Sequence, residues 1–230
     1  MKDKYNKNYY KYNNQNKDRI GNLFYSNIIK TNFNIKSYLD FGCGVGFLLR
    51  KIEKKNNIKT FGYEINNYAI NECLKNTKKS KIYKHIDDIS DKFDLISFVH
   101  IVEHISSDDL IIIFNKLKKN LNYNGRILVS TPAKNGIAHN LKKNEWIGFK
   151  DSTHINLKSF NEWKEFFTSL NFKIIKSSSD GLWDFPYKNI YLSFKFFKIL
   201  FLMFFQIFFG ILVLKHDEGE TLILILENYE

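Results

Sequence analysis

The 230-residue sequence is poor in arginine: Arg19, Arg50 and Arg126 are the only ones, so a formal charge of +11 rests almost wholly on lysine. Readout of bases and phosphates leans on the planar arginine fork, and its scarcity weighs against a dedicated nucleic-acid site. The excess of lysine reads instead as a solvated surface. Cysteine is scarce too. Cys43 and Cys73 stand far apart, form no Cys-x-x-Cys pair and follow a polar N-terminus unlike a signal peptide, which implies free thiols in a reducing cytoplasm. A dinucleotide fingerprint is also missing. The loop Gly42-x-Gly44-x-Gly46 carries Phe47 where that pattern needs glycine or alanine.

What the sequence does hold is a chain long enough for one full α/β core. Residues 1–36 read as an arm rich in Asn, Lys and Tyr followed by a helix, with Ile20, Leu23, Phe24, Asn27 and Ile28 on its inner face and its place at the edge of the sheet. Tyr5, Tyr9, Tyr10 and Tyr12 could close over a bound ligand or remain exposed in a polar tail. Residues 37–180 form the core. Its apolar strand Tyr38–Phe41 empties into the glycine loop, where backbone can approach a ligand and a helix offers free N–H groups. Strands follow at 58–65, Lys81–Ile86, Lys92–His100 and Arg126–Ser130, separated by helical patterns, with Asn124-Gly125 as a turn and Pro132 as a stop. Strict alternation of strand and helix implies a parallel sheet covered on both faces. Glu64 closes the second strand about twenty residues past the glycine loop, which puts a carboxylate across the crevice, able to accept from a ribose diol.

Leu-Asp40-Phe-Gly42-Cys-Gly44-Val-Gly46, Gly-Tyr-Glu64, Asp87-Asp88, Phe-Asp-Leu-Ile-Ser-Phe-Val-His100-Ile-Val-Glu103-His104 and Asn-Gly-Arg-Ile-Leu-Val-Ser-Thr-Pro132 occur in this order. Together they resemble class I S-adenosylmethionine-dependent methyltransferases over residues 20–180 and the final strand. The resemblance implies a Rossmann-like, doubly wound, seven-stranded sheet, mostly parallel with an antiparallel last strand. It implies S-adenosylmethionine as cofactor, with Asp40, Gly42, Gly44 and Gly46 at its aminocarboxypropyl end and Glu64 on the ribose. Asp87 or Asp88 would face the adenine amino group, the strand end being ambiguous by one residue.

Methyl transfer to an alcohol needs a base as well as in-line geometry. Candidates are Glu103 and His104 after the fourth strand and His154 after the fifth, all expected at the carboxyl edge. His100-x-x-Glu103-His104 also has the shape of an inverted zinc-protease motif, but the methyltransferase frame accounts for the segment better. The region resembles metal-dependent small-RNA 2′-O-methyltransferases and ubiquinone-pathway O-methyltransferases, which have Glu-x-x-Glu-His there. This implies a divalent ion on His100, Glu103, His104 and His154, with His100 in place of an acid, or else His154 as a metal-free base or acceptor ligand; the remaining reading makes Glu103 and His104 structural, capping and steadying the loop. Methyltransferases of the glycan and cell-envelope type have a similar Glu-His and a Thr-His like Thr153-His154. The expected function is O-methylation of a glycan precursor, lipid-linked or other small-molecule acceptor. The rivals are an RNA 2′-O-methyltransferase and a non-catalytic binding or scaffold protein.

Residues 181–218 read as a hydrophobic helical insertion before the last strand, 219–230, all within a single domain. Its run Ile190–Leu214 is nearly all Phe, Leu and Ile, and as one helix would be about 37 Å long. It is flanked by the expected strands 172–176 and 221–226, which share one sheet, so the chain must return to the side it left. The run therefore lies in a membrane interface on the inner face, forms a homodimer surface, or covers the protein's own core.

Overall fold

The computed structural model describes residues 10, 16–54, 57–187 and 193–229. The expectations for Tyr5, Tyr9, Tyr12 and residues 190–192 lie outside them.

Seven strands form one sheet: β1 (Ser37–Phe41), β2 (Lys59–Tyr63), β3 (Lys81–Tyr83), β4 (Phe93–Val99), β5 (Leu121–Pro132), β6 (Phe172–Ser179) and β7 (Thr221–Asn228). Their order is β3-β2-β1-β4-β5-β7-β6, and β7 runs antiparallel to both β5 and β6. Both faces are covered, so stretches such as Leu222–Leu226 are apolar throughout, and the side-chain period of two sorts successive residues onto opposite faces. Tyr38, Leu95, Leu128 and Ile223 enter one buried cluster, while Leu39, Ile96, Ile127 and Leu224 enter the other.

On the first face lie α1 (Ile20–Asn32) and α2 (Phe47–Ile52), with α3 (Asn67–Asn76) contributing Cys73. On the second lies α4 (Ser107–Lys118), started by a Ser106 cap that accepts from the Asp109 N–H. Its Leu110, Phe114 and Leu117 are fully buried, a stabilisation of about 2 kcal/mol each. Two short helices, α5 (Ile137–Lys142) and α6 (Ile147–Lys150), follow β5. Then α7 (Phe160–Ser169), opened by the Ser159/Glu162 capping box, buries Trp163 and Phe167 on the second face. Last comes α8 (Phe194–Phe209), between β6 and β7.

Several expectations need correction. Helix α1 lies over a face of the sheet, because α8 and Trp183 pack beside it. Its inner side is Phe24, Tyr25, Ile28 and Ile29, while Ile20 and Leu23 are exposed. Strand β5 starts at Leu121, ahead of Asn124-Gly125. That pair does turn the chain, with Asn124 at φ +60°, but as an irregularity inside the strand, between the pairs Phe93↔Leu121 and Leu95↔Arg126. Strand β3 stops at Tyr83, so Asp87 and Asp88 fall on a separate turn of 3-10 helix, Ile86–Asp88. Helix α8 has 16 residues, about 24 Å, well short of the expected 37 Å. It ends at Gly210, whose φ of +68° and whose approach to the Asn27 carbonyl leave no room for a Cβ. The open carbonyls at its end are met by α1: Asn27 donates to Ile207 O at 2.7 Å and Asn32 to Gly210 O at 2.6 Å. No helix among the described residues is long and apolar enough to cross a membrane.

Candidate active site

The carboxyl ends of β1, β2 and β4 open on a cavity of about 490 Å³, a size that suits a small ligand. The glycine loop forms its floor. Gly42, Gly44 and Gly46 all have positive φ, and a Cβ on Gly46 would meet Cys73 Sγ at 2.5 Å. The Gly42 and Cys43 N–H groups donate to Tyr63 O at 2.8 and 3.0 Å, which pins the loop to β2.

Asp40 and Glu64 both line this cavity. Tyr38 Oη and Ser97 Oγ are 2.7 Å apart, and Ser97 Oγ donates to Asp40 Oδ1 at 2.7 Å, so two hydroxyls hold the carboxylate in place. Burial raises the Asp40 pKa to about 6; the Ser97 and Tyr38 hydroxyls pull it down and the Glu64 charge pushes it up. Glu64 accepts from Gly44 N at 3.0 Å and Asn66 N at 2.9 Å. Burial nonetheless keeps its carboxyl above the ordinary range. Tyr10 closes the cavity from the arm: it is buried against Val45 and Ala69, 5.7 Å from the Tyr68 ring. Asp87 and Asp88 are not brought to the cavity. Asp87 is 86 % exposed and paired with Lys116, and only Ile86 of that turn reaches the wall.

A second group stands beside the cavity wall. Glu103, His104 and His154 bring their ligating atoms within 4.8 Å of one another. Glu103 is fully buried, and among the described residues its carboxylate has no short hydrogen bond, only His100 Nδ1 at 3.4 Å from Oε1. Burial pushes its carboxyl up, but His100, with His104 behind it, outweighs that and holds it below the usual glutamate range. Thr153 Oγ1 donates to Asp151 Oδ1 at 2.5 Å, so it accepts from His104 Nδ1 at 2.9 Å. His154 Nδ1 donates to Gly148 O at 2.8 Å. In its neutral form each ring thus carries its lone pair on Nε2. Burial lowers the His104 pKa, favouring the neutral ring.

His100 is set apart from this trio. At φ +55°, rare for a side chain with a Cβ, it lies with Nδ1 3.4 Å from Glu103 Oε1 and Nε2 3.3 Å from Tyr25 Oη. Sequence reasoning missed the groups behind it. Tyr25 is 2.5 Å from Ser130 Oγ across 105 residues of chain, a contact that no local signal announces. Asp180 and Glu220, at the adjoining ends of β6 and β7, are buried, and burial raises their pKa values to about 6 and about 8. Glu220 also feels the Asp180 charge, and its Oε2 has no hydrogen-bond partner among the described residues. Their place at the carboxyl edge is the one signal that could have found them.

A seven-stranded sheet of this order, with a glycine loop after β1 and a carboxylate after β2, defines a class I S-adenosylmethionine-dependent methyltransferase. The sequence profile of a family described as "Methyltransferase domain" matches residues 5–177, and the chain belongs to that family. It is a methyltransferase with S-adenosylmethionine as its cofactor. Among curated protein sequences nothing matches the chain. Solved structures share its fold at low identity. The plantazolicin methyltransferase BpumL, in complex with a monoazolic desmethylPZN analog and SAH, is 16% identical with a TM-score of 0.66, covering 97% of this chain and 91% of that one. A SAM-dependent methyltransferase from Archaeoglobus fulgidus is 16% identical with a TM-score of 0.65, covering 95% and 98%. The small RNA methyltransferase HEN1 is 16% identical with a TM-score of 0.62, covering 91% of this chain and 25% of that one.

Proposed function

We propose that this methyltransferase is an O-methyltransferase acting on a glycan precursor or a lipid-linked acceptor. The observation that carries this reading is the trio Glu103, His104 and His154 beside the cofactor cavity. Its two imidazoles are held at Nδ1 by Thr153 and Gly148, which leaves Nε2 of each for a proton, and they stand next to the buried Glu103 carboxylate. Such a group takes up a proton, and a hydroxyl acceptor is the one that most needs to lose it.

In this reading the glycine loop and Asp40 hold the aminocarboxypropyl end of the cofactor, and Glu64 accepts from the ribose hydroxyls. The bound cofactor would supply a methyl group activated by its sulfonium, and His154 Nε2 would take the proton that the acceptor hydroxyl gives up. Asp151 Oδ2, 3.9 Å from that nitrogen, steadies the charge that forms, and His104 keeps the pocket oriented through Thr153. The same donor set also fits a divalent ion. One carboxylate and two imidazoles favour a transition metal over magnesium, and His100 is tied to Tyr25 and Glu103 and stands outside the set. Such an ion would lower the pKa of a hydroxyl bound to it.

The test is product analysis. Cell extract containing lipid-linked glycans is incubated with the protein and isotope-labelled cofactor, and the labelled product is fragmented by mass spectrometry. Label on a sugar or lipid oxygen is expected; label on nitrogen, sulfur or RNA would refute the acceptor class. His154→Ala should lower turnover by about 100-fold or more while S-adenosylhomocysteine binds as before.

A further inference from the structure

Helix α8 offers a surface that methyl transfer does not use. Phe194, Phe197, Phe201, Phe204 and Phe208 recur at intervals of three and four and so share one side of the helix. That side is bare: Phe194 is 87 % exposed, Phe201 70 % and Phe208 72 %. The opposite side belongs to the core through Phe196, Ile199, Met203 and Ile207. Gln206 anchors it further, donating to Ser179 O at 3.0 Å and accepting from the Val213 and Leu214 N–H groups at 2.7 and 3.0 Å. A helix held this way lies flat against the protein, and any occupant of the phenylalanine row must come to it from outside.

Charge selects the occupant. From Phe185 to His216 the sequence has Lys188, Lys195, Lys198 and Lys215 and no carboxylate; the first beyond is Asp217. Lys198 stands 3.9 Å from Glu218 and is half exposed. A second copy of this chain, itself at +11, would bring a like-charged helix with no carboxylate to meet Lys195 in either orientation. An anionic lipid surface supplies what is missing, acyl boundary for the phenylalanines and negative headgroups for the lysines.

We infer that α8 is a docking surface for anionic phospholipid bilayers, lying in the plane of the interface with its phenylalanine row inserted. The contact does not depend on the methyl acceptor, so its failure and that of the proposed reaction are separable. The probe is flotation of the full chain with unilamellar vesicles of phosphatidylcholine, alone or with about 30 % phosphatidylglycerol. The protein is expected to float with the anionic vesicles, to stay behind with phosphatidylcholine, and to be released as salt rises. Phe197→Ser, Phe201→Ser and Phe204→Ser combined should cut the floated fraction about tenfold while S-adenosylhomocysteine binding, which reports the fold, is unchanged. Lys195→Glu should weaken flotation at low salt. Absence of the parent from the anionic vesicles, or flotation of the triple variant like the parent, would overturn the inference. A dimer in sedimentation velocity that the triple substitution dissolves would assign the row to a second copy and overturn it equally.

Discussion

Asp40→Asn separates what Asp40 does for the fold from what it does for the cofactor. Burial lifts its pKa from 3.8 to about 6, so ionising it costs more in the folded chain than in the unfolded one. A carboxyl whose folded pKa is raised binds its proton more tightly in the native state, and stability falls as pH rises through the window from 3.8 to about 6. Moving from 3.8 to about 6 is worth about 3 kcal/mol once the group is fully ionised, of which about 1.5 kcal/mol is already felt at pH 5. Asparagine can still accept from Ser97 Oγ and carries no charge to desolvate. Urea unfolding of the ligand-free protein should therefore show the variant gaining on the parent by about 1.5 kcal/mol between pH 5 and pH 7.5. The same variant should bind S-adenosylmethionine at least about tenfold more weakly if, as proposed, the buried carboxylate faces the cationic end of the ligand. A stability difference that does not move with pH would refute the account of Asp40 as a strained, desolvated acid. Unchanged cofactor affinity would refute its place in the site.

Gly46→Ala places a Cβ 2.5 Å from Cys73 Sγ and 3.2 Å from Cys73 Cα at a φ of +83°. A loss of about 2–4 kcal/mol in urea unfolding is expected, with cofactor binding weakened alongside. Tyr10→Ala should weaken S-adenosylhomocysteine binding by about three- to tenfold in calorimetry with little change in stability, since Tyr10 lies outside both large clusters. Glu220, raised to about 8 by burial, costs stability progressively as pH climbs from 4.5 to that value. Glu220→Gln should therefore gain on the parent by about 2 kcal/mol between pH 6 and pH 8.5, read as a widening difference in thermal midpoint.

The strands are legible in the sequence because burial on both faces leaves mostly apolar runs, Phe93–Val99 interrupted by Asp94 and Ser97 and Leu222–Leu226 not at all. The glycine loop, Asp40 and Glu64 are legible for a different reason. Their spacing is dictated by one β-α-β unit, and that unit is local. What the sequence conceals depends on distant partners. The inner side of α1 is decided by α8, some 180 residues on, and a helix met on two sides buries Tyr25 and Ile29 where an isolated amphipathic stripe points to Ile20 and Leu23. Asp87 and Asp88 look like a strand-end pair, yet the pairing of β2 with β3 ends at Tyr83 and the next turn carries them outward. Glu103, His104 and His154 are visible as candidates. Their convergence is not, since it rests on the Ile155 and Asn156 N–H groups donating to Glu103 O across a loop.

Gln206 is the one polar side chain buried in α8. Nearly every other position of that helix is Phe, Leu, Ile or Met, so by oil-like affinity alone a rotation of one residue about its axis would bury an equivalent set. A single amide, matched to one carbonyl on β6 and two N–H groups past Gly210, removes that degeneracy. Which phenylalanines are kept and which are displayed is thus an orientation encoded by one residue. With leucine there, the helix would keep its grease and lose its address.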